Sequence, residues 1–133
     1  MTASNVVFDT WAWWEVFGAT PAGRRLARKY VENPRVRIHT SILGLAELSA
    51  KFLAEGQPSR TAGAFNHVES RGRVIPITRA VAEAAGPLRA HLRRTDRDAS
   101  LVDALVLAAA RDLGYVLVSA DPAFARESDV VDH

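Results

Sequence analysis

The chain contains no cysteine. That absence removes disulfide staples, thiolate zinc sites and cysteine nucleophiles together, and it suits a reducing compartment such as the cytoplasm. Histidine is scarce: His39, His67, His91 and His133 are scattered, and none stands beside a serine or an acid in the pattern of a hydrolytic triad. They read as surface or partly buried residues without catalytic duty. The only lysines are Lys29 and Lys51, so arginine carries nearly all the positive charge. No apolar run approaches the ~20 residues that a membrane-spanning helix requires. The most apolar stretch, Leu101 to Ala110, contains Asp103 and is closed by Arg111. Met1 to Phe8 has no basic segment leading into a long apolar one, so no secretory leader is expected. Repeats, low-complexity tracts and linkers are missing as well. The expectation is a cytoplasmic protein with no membrane segment.

What remains suits one folded domain, residues 1–133, with 48% hydrophobic and 24% charged residues. A domain of this length buries enough surface to hold a core without metal or disulfide. The net charge is only +2, yet the basic residues gather in two segments. The first holds Arg24, Arg25, Arg28, Lys29, Arg35 and Arg37, and the second Arg89, Arg93, Arg94 and Arg97. Of these, Arg24, Arg25, Arg28, Arg93 and Arg94 are candidate contacts for phosphates. Solvated helix faces are an equally good reading.

Apolar runs alternate with helical patterns along the chain. Asn5 to Phe8 reads as a buried strand, and Trp11 to Phe17 as a short helix stopped by Gly18. Thr20-Pro21 opens a second helix running to about Val31. Val36 to His39 is a second strand. Thr40-Ser41 then caps an amphipathic helix on which Ile42, Leu45, Leu48, Phe52 and Leu53 recur at helical spacing, and Gly56 ends it. A further helix spans about Ser59 to Glu69, and Arg73 to Ile77 makes a third strand. Thr78 caps a helix through about Arg94, in which Gly86-Pro87 marks a kink position. Helix Leu101 to Leu113 closes on Gly114, with Asp98 as its expected N-cap. Tyr115 to Ser119 is a fourth strand, and Val130-Val131 a short edge strand. Such alternation predicts an α/β fold with a mainly parallel sheet of four to five strands between helical layers.

Ligands of parallel sheets bind beyond the carboxyl ends of the strands, and four acids are expected there. Asp9 ends the first strand, and Glu47 lies early in the helix after the second. Asp103 sits in the first turn of the helix Leu101 to Leu113, and Asp121 follows the fourth strand. Glu47 and Asp103 are embedded among apolar neighbours, which predicts charges on or near buried helix faces. Each has a plain explanation: a macrodipole or cap role for Asp103, a turn start for Asp121, an ion pair for Glu47 and an Asx-turn for Asp9. Together they suit a divalent cation, because clustered carboxylates repel unless one compensates them. Oxygen donors without histidine or cysteine favour Mg²⁺ or Mn²⁺ over zinc.

Four segments carry a resemblance: Val7-Phe8-Asp9-Thr10, Leu45-Ala46-Glu47-Leu48, Leu101-Val102-Asp103-Ala104-Leu105 continuing to Ala110, and Leu117-Val118-Ser119-Ala120-Asp121-Pro122-Ala123-Phe124. In order and spacing they resemble the PIN-domain family and, within it, the VapC-type toxins of prokaryotic toxin–antitoxin pairs. The resemblance runs from Val6 to Phe124. It implies a three-layer α/β/α fold and endoribonucleolytic cleavage by a metal-activated water. Metal binding falls to Asp9, Glu47, Asp103 and Asp121, with Thr10 and Ser119 as supporting hydroxyls. It also implies an RNA substrate, a cognate antitoxin and a homodimer. Two departures stand out: Ala123 replaces an acid present in some members, and Trp11, Trp13 and Trp14 make the first helix unusually aromatic. The tryptophans read as core or dimer contacts before they read as an RNA-stacking surface.

Other readings are a housekeeping RNA-processing nuclease with the same site, and a PIN-like module that binds RNA or a partner without cutting. A receiver-type signalling domain wants an acidic pair after the first strand and a lysine after a late one, yet no lysine follows Lys51. A phosphatase of the haloacid dehalogenase type wants a second aspartate where Trp11 stands. Both fail.

Overall fold

The first strand, β1 (Ser4–Phe8), points Val6 and Phe8 to one side and Val7 to the other, and all three are buried. A strand apolar on both faces belongs in the middle of a sheet covered by helices on each side. The computed structural model, which describes residues 4–131, places it there. With β2 (Val36–Ser41), β3 (Val74–Ile75), β4 (Val116–Val118) and β5 (Val130–Val131), it forms a sheet of order β3-β2-β1-β4-β5. Every neighbouring pair is parallel. His133 lies outside the described residues.

Helices α1 (Thr10–Gly18), α2 (Pro21–Leu26), α3 (Ile42–Ala54) and α4 (Thr61–Arg71) cover one face. Their Trp13, Leu26, Leu48, Phe52 and Val68 pack with Phe8, Ile38 and Val118. On the other face, α5 (Arg79–Leu92) and α6 (Leu101–Leu113) bring Val81, Leu92 and Leu107 against Val7, Ile75 and Leu117. The expected three-layer α/β/α architecture is thus the observed one. Among the described residues, no helix is long and apolar enough to cross a membrane.

Local chemistry sets most boundaries. Thr20 accepts from the Gly23 amide at 3.0 Å with Pro21 at the first helical position, and Thr78 accepts from Val81 at 3.2 Å. Gly114 adopts φ +72° at the end of α6, a conformation that glycine takes without strain. Elsewhere the structure departs from expectation. The second helix continues past Leu26 as a π turn, Ala27–Val31. The third strand shrinks to Val74–Ile75 because Pro76 has no amide to donate to a ladder. The α4 region starts with a 3₁₀ turn, Pro58–Arg60, and α5 stops at Leu92. Helix α5 passes through Pro87 on its exposed side. Gly86 helps, since a Cβ there would crowd the proline ring. Ser100, not Asp98, caps α6; Asp98 is exposed in the preceding turn, its amide donating to the Asp96 carboxylate.

His39 is buried, its ring stacked on Tyr115 at 5.1 Å. Nδ1 accepts from the Arg73 amide at 3.0 Å, so Nε2 carries the proton shared with Asn5 Oδ1 at 2.9 Å. Burial, reinforced by Arg37 and Arg73, holds its pKa below the ordinary histidine value. It is a neutral brace joining β1, β2 and the entry to β3.

Two glycines on the same face of the sheet should respond in opposite ways. Gly23 lies so close to α1 that a Cβ would come within 1.8 Å of the Glu15 carbonyl oxygen. Backbone cannot yield as a side-chain tip does, so Gly23→Ala is expected to cost about 3 kcal/mol. Gly63, exposed inside α4, has open space around it. Gly63→Ala should therefore add about 0.5–1 kcal/mol of helix propensity. Urea unfolding checks both, and a Gly23→Ala variant as stable as the parent would contradict the close α1–α2 contact.

Candidate active site

Strand order reverses at β1, whose neighbours are β2 and β4. Beyond the carboxyl ends of β1 and β4 the chain turns to opposite faces. α1 leaves toward the face holding Trp13, while the 3₁₀ turn Pro122–Phe124 leaves toward the face holding Phe124. A crevice must open between diverging connections, and this is where parallel α/β sheets take ligands. The Asp9 amide donates to the Val118 carbonyl at 3.4 Å, closing the crevice floor.

Asp9, Glu47, Asp103 and Asp121 all line this one cleft. They arrive from four elements: the end of β1, the second turn of α3, the first turn of α6 and the N-cap of the 3₁₀ turn. The local explanations also hold. Asp9 caps α1 by accepting from the Ala12 amide at 2.9 Å, and Asp121 accepts from the Ala123 amide at 2.9 Å. Asp103 accepts from the Ser100 amide at 2.8 Å while its own amide donates to Ser100 Oγ at 3.0 Å, a reciprocal capping box. Capping and convergence on a cleft are compatible, because a cap occupies only part of a carboxylate's accepting capacity.

The two hydroxyls predicted to support the acids lie among them. Thr10, buried, donates to Glu47 Oε1 at 2.7 Å. Ser119, fully buried, accepts from the Asp121 amide at 3.0 Å and bonds the Asp9 carboxyl, so it links two of the acids. One expectation is corrected: Glu47 is exposed, although Leu45 and Leu48 beside it are buried. Its helix position faces the open cleft instead of the core.

The electrostatics report crowding. Burial pushes the Asp9 carboxyl up to about 7, against the Ser119 and Ala12 hydrogen bonds, and the Asp121 and Glu47 charges push it further. Asp121 is also raised, first by burial, opposed by the Ala123 amide, and then by Asp103 and Asp96. Asp96, from the turn before α6, was not singled out by sequence reasoning. Its side chain adds a fifth negative charge within reach of the cleft.

The donor set suits a hard divalent cation: carboxylates and hydroxyls, with neither sulfur nor imidazole among the lining residues. Asp9, Asp103 and Asp121 are each engaged in a helix cap and Glu47 with Thr10, and among the described residues no group of three stands close enough to share one ion. Side-chain rotation would be required to gather them. Asp9, Glu47, Asp103 and Asp121 are the residues that could hold such an ion.

The arginines nominated from sequence lie elsewhere. Arg24, Arg25 and Arg28 are exposed on α2 and its π turn. Arg93 braces the turn before α6 by donating to the Ala99 carbonyl at 3.1 Å. Arg94 lines a separate shallow pocket with His91, Arg111 and Arg126 around the buried Glu127. The cation that does line the acidic cleft is Lys51, and Trp11 and Trp14 line it too. Sequence reasoning did not assign these three to the site. The signal was there for the lysine, since Glu47 and Lys51 are four apart on one helix.

A family model described as PIN domain matches residues 6–129. No curated protein matches the sequence. Solved structures of like fold include a toxin–antitoxin complex from Klebsiella pneumoniae, with TM-score 0.73, 23% identity and 96% of each chain covered. VapBC2 from Rickettsia felis, bound to a DNA fragment from its promoter, has TM-score 0.72 and 17% identity, again with 96% of each chain covered. The sarcin–ricin loop cleaving toxin VapC20 from Mycobacterium tuberculosis has TM-score 0.70 and 21% identity, covering 96% of this chain and 99% of that one. The resemblance of the four sequence segments to the PIN-domain family is borne out.

Proposed function

The chain belongs to the PIN-domain family, and from that premise we propose that it is a metal-dependent endoribonuclease, the toxin of a toxin–antitoxin pair. The observation that carries this reading is the convergence of four carboxylates from four elements on one cleft at the sheet's switch point. Mg²⁺ or Mn²⁺ would be held by Asp9, Glu47, Asp103 and Asp121. When bound, such an ion supplies charge neutralisation at the phosphate and activation of a water nucleophile. The chain's own residues prepare the site. Thr10 aims Glu47, Ser119 couples Asp9 to the Asp121 backbone, and the Ser100 capping box fixes Asp103. Asp9 holds a proton near neutrality and must release it to serve as a ligand.

The same reading takes residues 1–133 as a single PIN domain working in the cytoplasm on RNA. A cognate antitoxin is its proposed partner, supported by the toxin–antitoxin complexes of like fold, and a homodimer is proposed beside it. Arg24, Arg25, Arg28, Arg93 and Arg94 would serve only more distant phosphates, since none lines the cleft. The separation of the acids favours one rival, a PIN-like module that binds RNA or a partner without cutting.

The deciding experiment incubates purified, antitoxin-free protein with a labelled RNA pool in Mg²⁺, Mn²⁺ or EDTA. Cleavage is expected with a metal and not in EDTA. Asp103→Asn should slow it by roughly a hundred-fold, the scale on which a lost electrostatic group acts in catalysis. A folded wild-type protein that cuts nothing across a broad RNA panel would leave the binding-module reading in its place.

A further inference from the structure

The three tryptophans of α1 have separate fates. Trp13 is fully buried, its indole N–H donating to Thr40 Oγ1 at 2.9 Å. Trp11 and Trp14 are only half-buried and line the acidic cleft. Trp14 packs edge-on against Phe52 at 5.1 Å. The Trp11 side chain makes no ring contact, cation contact or hydrogen bond among the described residues. Trp11 packs partly on the core, and the part of its ring that stays open at the rim of a polar cleft costs free energy unless something covers it.

Lys51 is the second part. Its ammonium stands beside a cleft lined by four acids, yet it makes no ion pair with any of them among the described residues. It lies 5.5 Å over the Trp14 ring instead. Cation–π attraction of this kind is worth about 0.5–1 kcal/mol at an exposed site, enough to bias a flexible side chain. The lysine is thus stationed at the cleft with its charge unspent.

We propose that Trp11, Lys51 and Trp14 form a nucleotide subsite beside the acids. A base lies flat on Trp11, the phosphate of the same nucleotide meets Lys51, and Trp14 positions the lysine. The base must be unpaired, because an indole reaches a base face only where the nucleic-acid stack is open. The subsite rests on the nuclease reading for the phosphodiester it would place at the carboxylates, but its binding is measurable without turnover.

The test uses the full chain carrying Asp9→Asn and a short single-stranded oligoribonucleotide, followed by tryptophan fluorescence and by anisotropy of the labelled strand. Binding should quench the fluorescence. Adding Trp11→Ala should weaken binding about 5- to 150-fold, the range for loss of one base–aromatic stack. A ribose-phosphate strand without bases should bind as poorly to the Trp11-containing protein. Lys51→Met should lower the slope of log affinity against log salt by about 0.7, one phosphate contact on a single strand. Trp14→Leu should copy that loss and Trp14→Phe should restore it, which a merely structural tryptophan would not do. Melting temperatures of all variants are followed in parallel.

The subsite is overturned if Trp11→Ala binds within about two-fold of its parent, or if strands with and without bases bind alike. Trp11 would then be assigned to a protein-contact surface. If wild type fails to cut while Trp11-dependent binding persists, the nuclease reading falls and the subsite stands. Cutting with Trp11-independent binding sinks the subsite alone.

Discussion

Replacing Asp9 with asparagine is expected to abolish RNA cleavage and, at about pH 8 without metal, to raise the melting temperature of the protein. The sign follows from linkage. The Asp9 pKa lies near 7 in the fold against 3.8 as the ordinary value, so the folded chain keeps a proton that the unfolded chain has released. Stability from this group is fully present below pH 3.8, declines as pH rises between those values, and is lost above about 7. At about 1.4 kcal/mol per pKa unit the upper bound is roughly 4 kcal/mol, and the partial opening of Asp9 to the cleft lowers the expected gain to about 1–3 kcal/mol. Asparagine retains the cap on the Ala12 amide, for which it is as good as aspartate. For a chain of this length the gain corresponds to roughly 4–11 °C. Thermal melts of wild type and Asp9→Asn between about pH 5 and pH 8 would measure it. Mn²⁺ should raise the wild-type melting temperature and leave the variant nearly unchanged. A variant less stable than wild type at every pH would mean that Asp9 is a structural acid, and the cleft would lose its principal ligand.

Trp13→Ala is the largest destabilisation expected from a single position. The indole is fully buried among Phe8 at 4.9 Å, Phe17 at 5.6 Å and His67 at 5.8 Å, and it holds the Thr40 hydroxyl. Removing it opens a cavity between the sheet and the helices above it, and leaves a buried hydroxyl short of a partner. Such truncations cost about 3–5 kcal/mol, a large part of the roughly 5–15 kcal/mol that stabilises a typical domain. Trp11→Ala, three positions from Trp14 on the cleft side, should change stability by less than about 1 kcal/mol. Urea titrations followed by far-UV circular dichroism compare them directly. If the two variants unfolded at the same denaturant concentration, the division of α1 into a core tryptophan and two cleft tryptophans would be wrong.

That division marks the boundary of what sequence makes legible. The spacing of Trp11, Trp13 and Trp14 says that they occupy different sides of a helix, but not which side meets the sheet. The same holds on α3: periodicity identified Leu45 and Leu48 as core, yet placed Glu47 near the buried face, whereas it is exposed to the cleft. Asp98 was the expected cap of α6, and the path of the turn from Arg93 to Ala99 put Ser100 in that place instead.

The sequence by itself determined the alternation of strands and helices, the layers, the PIN-domain resemblance, and the placing of Asp9, Glu47, Asp103 and Asp121 near strand ends. Those properties depend on side-chain period and on caps reaching three or four residues along the chain, distances that a linear reading covers. Only the tertiary structure decided that the four acids line one cleft, that Lys51, Trp11 and Trp14 line it with them, that the Asp96 charge acts on Asp121, and that none of the nominated arginines lines it. These outcomes depend on how α1, α3 and α6 cross the end of a twisted sheet. That crossing is set by packing between residues far apart in the chain, such as Trp13 with Thr40 and Thr10 with Glu47.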